Sequence, residues 1–417
     1  MQKFLLSLCL SLCAVSLTAQ TAAPKTYAYQ NGNWYNGSGF TVATWYVVNG
    51  QFTKKAPPKI DSTIDLSGRY IVPPMGDAYS ASLTDATNGT TMPKNYMDEG
   101  IFYVQSIGNT QAGYKAIADK VNRPTGPDVV FSNGAITCTL GYPFVLYEGP
   151  ANGVHTQQLM AQRYEQIKTQ SKMLGDGYWF IDNKTALEAN WPKIMAQKPG
   201  LINIYLLDAT ANGGKEGKGL TPEVAKLVVK KAKKAGLPVY AQIENVGDLR
   251  LALKLGVSGI TNIPGNTSDG QGADAAKYTL TDDDLKKLAK KKTVVIPQFS
   301  QAQQISGVPA AVSARQAEML KRLFDNGVNV CIGSNDPQRT IRGELNYWFQ
   351  LGKLDYNSTL KTLCETTPRA IFPKRKIGRI NEGFEASFLV LSDDPLKNIL
   401  KLRAISFKVK NGVVIKS

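Results

Sequence analysis

The sequence predicts an α/β fold: a (β/α)8 TIM-type barrel plus a small composite β-sandwich domain built from both termini. Between residues 76 and 375, apolar strand-like runs alternate with amphipathic helical patterns. Both ends of the chain instead carry short alternating runs that are separated by turn residues. No Gly-x-Gly-x-x-Gly turn opens a helix, which favours the barrel over an open doubly wound sheet, the second choice.

Residues 1–19 have the pattern of a secretory signal. Lys3 precedes an apolar run from Phe4 to Leu17, and Ala19 offers a small residue for cleavage before Gln20. The run is shorter than the roughly 20 apolar residues that a membrane-spanning helix needs. We therefore expect an exported mature protein, periplasmic or secreted, with no membrane span; an uncleaved anchor is the alternative.

Residues 20–75 and 376–417 are expected to form the composite β domain. Strand-like runs at 41–48 and 62–66 are each followed by a turn, Asn49-Gly50 and Ser67-Gly68. The last part of the chain repeats this pattern, with runs at 387–391, 405–410 and 413–415. Two strand-rich ends around a middle of another kind indicate one domain that both ends share.

The barrel elements are predicted from periodicity and from helix caps. Thr221 and Pro222 begin a helix that Gly236 ends, and Gly256 ends the next one. Helices are expected at 221–235, 245–255, 281–292 and 315–326, and strands at 202–207, 238–241, 257–260, 293–296 and 328–332. Since barrel chemistry lies at the carboxyl ends of the strands, the candidate positions are 77–81, 203, 242–244, 262 and 334–336.

The chain is strongly basic, with a formal net charge of +16 at pH 7. Its lysines concentrate at 230–234 and 286–292, on two of the predicted amphipathic helices. Solvated outer helix faces account for both clusters, and no interleaved aromatic pattern indicates single-strand binding. We expect no nucleic-acid partner, and we keep a basic module that binds acidic surface polymers as one hypothesis.

Cysteine and histidine are scarce. Without residues 1–19 the cysteines are Cys138, Cys331 and Cys364, far apart and odd in number, which indicates buried thiols rather than a disulfide scaffold. The one histidine, His155, falls in a predicted loop. One imidazole cannot form a three- or four-histidine zinc site, and no serine elbow accompanies it for nucleophilic catalysis.

The strand ends resemble the amidohydrolase superfamily. Residues 64–81 are similar to its opening strand, in which a Pro-Gly-hydrophobic-hydrophobic-Asp passage leads to His-x-His, and residues 366–396 are similar to its return into a composite β domain. Residues 235–257 resemble the imidazolonepropionase and Xaa-Pro dipeptidase branch. The resemblance covers residues 30–415, and it implies hydrolysis of carbon–nitrogen bonds by water that one or two divalent metals activate.

This chain departs from the family at each position that the resemblance assigns to a metal ligand. Those positions hold Tyr79, Ala81, Asn203, Gln242, Asn262 and Asn335. Tyr142 stands where this branch often shows Gly-Gly-His. Neutral amides are poor substitutes for imidazole as zinc ligands. We therefore expect no metal, no other cofactor and no metal-dependent catalysis.

The remaining polar side chains at the barrel mouth are candidates for ligand binding: Tyr79, Tyr142, Asn203, Gln242, Asn262 and Ser334. They suit a small neutral polar ligand, or a satisfied network that fills an old cavity, and the sequence leaves both open. The prediction is a metal-free binding or accessory protein. A homo-oligomer is compatible with it.

Three acids remain near the mouth. Asp77 is expected to be structural, whereas Glu244 and Asp336 are the candidates for an altered hydrolysis without metal. Which of Asn335 and Asp336 takes the position of the family's aspartate stays open. A calcium site from these acids and the amides would have too few carboxylates.

Overall fold

The computed structural model describes residues 25–84, 90–209, 218–268, 272, 275–301 and 308–415. The predicted signal at residues 1–19 therefore lies outside the described residues. Over the described ranges, no helix is both long and apolar enough to cross a bilayer.

Eighteen strands are described. In chain order they are β1 (Tyr27–Tyr35), β2 (Phe40–Val48), β3 (Gln51–Thr53), β4 (Ser62–Asp65), β5 (Tyr70–Val72), β6 (Met75–Ser80), β7 (Ile101–Ser106), β8 (Asp128–Phe131), β9 (Ala135–Thr137), β10 (Tyr178–Phe180), β11 (Ile202–Tyr205), β12 (Val239–Gln242), β13 (Gly259–Thr261), β14 (Val294–Ile296), β15 (Asn329–Val330), β16 (Phe388–Leu391), β17 (Ile405–Lys410) and β18 (Val413–Ile415).

The helices of the described part are α1 (Met92–Asp98), α2 (Gln111–Ile117), α3 (Phe144–Ala151), α4 (Gln157–Gln162), α5 (Tyr164–Ile167), α6 (Lys184–Ala196), α7 (Pro222–Lys234), α8 (Val246–Leu255), α9 (Ala275–Tyr278), α10 (Asp282–Lys291), α11 (Ala310–Asp325), α12 (Arg342–Leu351), α13 (Tyr356–Lys361) and α14 (Thr367–Ile371). A π-helical turn (Thr362–Thr366) joins α13 to α14, and a 3-10 helix covers Ile399–Arg403.

Both ends of the chain contribute to one eight-stranded sheet, as predicted. Its order is β18-β17-β16-β5-β1-β2-β3, with β4 also paired to β1. β5 joins the two ends, because Trp34 of β1 pairs with Ile71, and Ile71 pairs with Val390 of β16. The apolar core of this domain includes Trp34, which contacts the rings of Phe52 and Phe388 edge to face.

The middle of the chain forms the parallel barrel. One sheet runs β6-β7-β8 and the other runs β10-β9-β11-β12-β13-β14-β15. The Gly200 N–H donates to the Phe131 carbonyl at 2.8 Å, which links β8 to the approach to β11. The Ala78 N–H donates to the Ile332 carbonyl at 2.8 Å, which closes β6 onto the chain after β15. Buried side chains such as Ile204 and Ala241 fill the core.

The helix starts predicted at residues 221, 245 and 281 are confirmed, and each carries a side-chain cap. The Thr221 hydroxyl accepts from the Val224 N–H, and Asn245 and Thr281 each form a capping box at the start of α8 and α10. Gly256 ends α8 in the left-handed region with a φ of 68°, a conformation that favours glycine.

Several predicted boundaries differ from the structure by one or more residues; the strand predicted at 202–207, for example, ends at Tyr205. Helix α11 begins at Ala310, directly after Pro309, rather than at residue 315. The strand expected at 328–332 is reduced to Asn329–Val330, and beyond it the Cys331 N–H donates to the Val295 carbonyl at 2.9 Å and the Ile332 N–H donates to the Thr367 hydroxyl at 3.1 Å. There the Asn335 N–H donates to the Tyr79 carbonyl at 2.7 Å.

Candidate functional site

A buried carboxylate holds the closing seam of the barrel together. Asp77 of β6 is fully buried and accepts four hydrogen bonds. The backbone N–H groups of Tyr79 and Ser334 donate at 3.1 and 3.0 Å, and the hydroxyls of Tyr96 and Ser334 each donate at 2.8 Å. Burial raises the pKa of Asp77, and these hydrogen bonds oppose the rise. These hydrogen bonds join β6 to helix α1 and to the chain after β15, so Asp77 and the candidate Ser334 act on the scaffold.

Two tyrosine side chains interact inside the barrel, near the carboxyl ends of β6 and β11. Tyr79 of β6 and Tyr205 of β11 are buried, and their side chains interact. Burial raises the pKa of each well above its usual range. Both phenols are therefore neutral near pH 7.

A third tyrosine reaches the surface of the mouth. The ring of Tyr142 lies 5.4 Å from that of Tyr205, centroid to centroid, and 38% of Tyr142 is exposed. Burial of its hydroxyl, followed by the charge of Glu244, raises the pKa of Tyr142 to about 12. An exposed, uncharged ring at this place offers a stacking face to a ligand.

Three carboxamides follow three successive strands in strained backbone. Asn262, Gln298 and Asn335 come after β13, β14 and β15, with φ values of 71°, 58° and 39°. The Asn335 amide donates to the Gln298 side-chain oxygen at 3.0 Å, and the Asn262 amide donates to the Ile243 carbonyl at 3.3 Å. Left-handed backbone at residues other than glycine is uncommon and concentrates at functional sites.

Several buried polar atoms without partners lie in barrel strands or directly after them. Among the described residues they include the Asn262 Oδ1 and Gln298 Nε2 atoms and both amide atoms of Asn203. Tyr205 approaches Asn203, but not in hydrogen-bonding geometry. Ser106 and Thr137, at the ends of β7 and β9, each have an unpaired buried hydroxyl. Gln242 differs, because its oxygen accepts a hydrogen bond from the Thr261 hydroxyl.

The two acids that were candidates for catalysis follow strands β12 and β15. The Asp336 carboxylate accepts from the Gln338 N–H at 2.8 Å and lies 3.8 Å from Arg339. No hydrogen bond or ion pair between described residues joins Asp336 to Glu244. His155 is exposed in a loop, as expected, and Ala81 is half-buried after β6.

Comparisons with solved structures identify the fold. A Xaa-Pro dipeptidase with bound methionine matches with a TM-score of 0.70 and 15% identity over 94% of this chain and 100% of that one. An A. niger ochratoxinase matches with a TM-score of 0.71 and 15% identity over 95% of this chain and 96% of that one. A molinate hydrolase gives 0.69 and 17% over 94% and 95%. The chain has the amidohydrolase fold. No protein-family model and no curated protein matches it.

The side chains of this amidohydrolase fold do not fit the divalent metals that the sequence resemblance implied. Within the described ranges, no group of three or more His, Cys, Asp or Glu residues could hold a metal ion. The six positions assigned to ligands carry one phenol, one methyl group and four carboxamides. None of these provides the imidazole or carboxylate donors that such metals take.

Two residues of this site were not singled out in the sequence. Gln298 follows strand β14 directly after Pro297, so the strand-end rule that selected Asn262 would also have selected it. Tyr205 lies two residues after Asn203 in β11, and side chains at this spacing share one face of a strand. The hydrogen bond of Gln298 with Asn335 and the contact of Tyr205 with Tyr79 each join distant strands. The sequence carries no signal for such pairings.

Proposed function

We propose that the mature chain is an exported, metal-free binding or accessory protein whose barrel mouth holds a small uncharged polar molecule. One observation carries the proposal: three carboxamides stand in left-handed backbone at the ends of β13, β14 and β15, and two of them have buried atoms without partners. An unpaired buried polar atom costs about 1–3 kcal/mol. A ligand that pairs with the Asn262 and Gln298 amides would recover part of that cost.

The chemistry of the mouth favours an uncharged ligand. Carboxamides both donate and accept hydrogen bonds without carrying charge. Tyr79 and Tyr205 remain protonated because burial raises their pKa values. Tyr142 adds an exposed ring. A molecule with amide or hydroxyl groups and one flat or apolar face complements such a set.

Two parts of the proposal rest on the sequence. Export is supported by the signal-like pattern of residues 1–19. Loss of metal-dependent hydrolysis is supported by the replacement of every assigned ligand by a neutral side chain. The alternative hydrolysis through Glu244 and Asp336 gains no support from a contact between these carboxylates and stays a prediction.

The metal-free part is tested on purified chain 20–417. Elemental analysis should find less than about 0.1 equivalent of any transition metal per chain, since the assigned positions offer no ligand set. The melting temperature should be the same with and without a strong chelator. One equivalent of tightly held zinc, with melting that the chelator lowers, would refute this part.

The binding part is tested with a thermal-shift screen of uncharged amides, polyols and sugars. A ligand at 100 times its Kd should stabilise the chain by about 2.7 kcal/mol. Gln298→Gly should abolish that stabilisation, because it removes the carboxamide while glycine accepts the φ of 58° without strain.

Lys292→Gly is the matched control. Lys292 has a nearly equal φ of 54° but ends helix α10 on the outer surface. Its replacement should leave the ligand-induced shift intact. Equal shifts in both variants would show that the ligand binds elsewhere, and no hit in the whole screen would favour a structural network.

A further inference from the structure

A groove with a volume of ≈ 610 Å³ lies between helices α7 and α8, on the outside of the barrel. Its apolar lining includes Val229, Leu251 and Leu255. Four lysines also line it: Lys226, Lys230, Lys233 and Lys254. A volume of this size falls in the range of roughly 300–1,000 Å³ that is usual for small-ligand sites.

The charge of the groove is poorly compensated. Glu223 is the one acid among its lining residues. The adjacent Lys231 pairs with Glu188 at 2.7 Å, whereas no ion pair between described residues involves Lys226, Lys230 or Lys254. Like charges at i,i+4, such as Lys226 and Lys230, destabilise a helix by about 0.2–0.5 kcal/mol. An anion bound among these ammonium groups would offset that repulsion.

The lining also selects against several kinds of anion. No aromatic side chain lines the groove, so sugar rings and nucleobases find no stacking surface. An aliphatic floor below a cationic rim instead suits an alkyl chain that ends in an acidic group.

We infer that this groove binds a single-chain amphiphile with an anionic headgroup, of the long-chain carboxylate class. The alkyl chain lies on Val229, Leu251 and Leu255, and the carboxylate lies among the lysines. This site is separate from the barrel mouth, and it does not depend on the proposed function.

The test uses chain 20–417 and sodium dodecanoate below its micellar concentration, with affinity measured by calorimetry. The triple variant K226Q/K230Q/K254Q should bind about tenfold more weakly, since it removes the charges that receive the carboxylate. The control K286Q/K290Q/K291Q makes the same charge change on exposed positions of α10 and should bind within about twofold of the unaltered chain.

Two further comparisons test the apolar floor and the charge of the ligand separately. L251S should also weaken dodecanoate binding about tenfold, because a hydroxyl replaces aliphatic surface. Dodecanol, which has the chain without the charge, should bind about tenfold more weakly than dodecanoate. Melting curves establish that each variant is folded before it is titrated.

Three results would overturn the inference. One is equal dodecanoate affinity for the groove triple variant and the control triple variant. Another is equal affinity for dodecanol and dodecanoate. The last is retention on anionic vesicles or on polyglutamate without saturable dodecanoate binding, since this pattern belongs to a charged surface rather than to a ligand site.

Discussion

At the scale of single residues, the acid that remains on strand β6 shows how a catalytic fold can keep a carboxylate for its framework. Asp77 uses both carboxylate oxygens to accept hydrogen bonds from Tyr79, Tyr96 and Ser334. These partners come from the first barrel strand, the helix after it and the chain after the last strand. One buried side chain therefore ties the closing seam of the barrel.

Asp77→Asn should lower the free energy of unfolding by about 2–4 kcal/mol, because an amide nitrogen would face donors where a carboxylate accepts. Urea denaturation followed by circular dichroism measures the change. Asp325→Asn, in an exposed pair with Lys321 on helix α11, should have no measurable effect. A stability loss that is equal in the two variants would contradict a seam role for Asp77.

At the scale of elements, helix α10 is anchored at its first turn. The Thr281 N–H and hydroxyl donate to Asp284 at 3.1 and 2.8 Å, and Arg250 of α8 donates two hydrogen bonds to the same carboxylate at 2.9 Å each. Burial alone would raise the pKa of Asp284, but these hydrogen bonds lower it to about 2. The Asp284 carboxylate therefore serves both the capping box of α10 and the link between α8 and α10.

This depressed pKa predicts a pH dependence of stability. The folded state binds the proton of Asp284 more weakly than the unfolded state, so its stabilisation is complete above pH 4 and is lost as the pH falls toward 2. Asp284→Asn should therefore lower the free energy of unfolding by about 2 kcal/mol at pH 7. The difference from the unaltered chain should shrink below about pH 3.

The neighbouring Asp283 provides the control for this measurement. It is exposed and pairs with Lys287 in the same helix. Asp283→Asn should leave the pH profile of unfolding unchanged, because exposed pairs contribute little. A difference between Asp284→Asn and the unaltered chain that stays constant from pH 7 to pH 2 would refute the assignment.

At the scale of the whole molecule, a buried ionic cluster joins the β domain to the barrel. Lys410 of strand β17, 1% exposed, donates to Asp128 of β8 at 2.5 Å and to the Arg123 and Gly126 carbonyls at 2.9 and 2.6 Å. Arg375 also contacts Asp128, at 2.7 Å. The last strands of the chain are therefore fixed to the third barrel strand.

Lys410→Met should destabilise the molecule by about 3 kcal/mol, because the half-buried Asp128 carboxylate loses its buried partner. Hydrogen exchange should rise first in β17 and β18. Lys401→Met, which breaks an exposed pair with Asp393, should cost less than about 1 kcal/mol. Unchanged exchange in β17 would contradict a linking role for Lys410.

Much of the architecture could be predicted because its causes are local. Thr221, Asn245 and Thr281 mark helix starts through hydrogen bonds to the N–H groups three residues later. Apolar runs that alternate with helical patterns locate the barrel strands in the sequence. Four candidate positions therefore fall in or directly after these strands, as predicted: Tyr79, Asn203, Gln242 and Asn262. The periodicity of apolar residues and the capping of helices both depend on residues that lie close together in the sequence.

The sequence by itself therefore determined the fold class and the absence of a histidine ligand set, since both follow from residue type and spacing. Only the tertiary structure decided which of these side chains meet. The Tyr79–Tyr205 contact, the Gln298–Asn335 hydrogen bond and the two hydrogen bonds from Ser334 to Asp77 join residues far apart in the chain. Such contacts arise from barrel closure, which brings distant strand ends together and has no local signal.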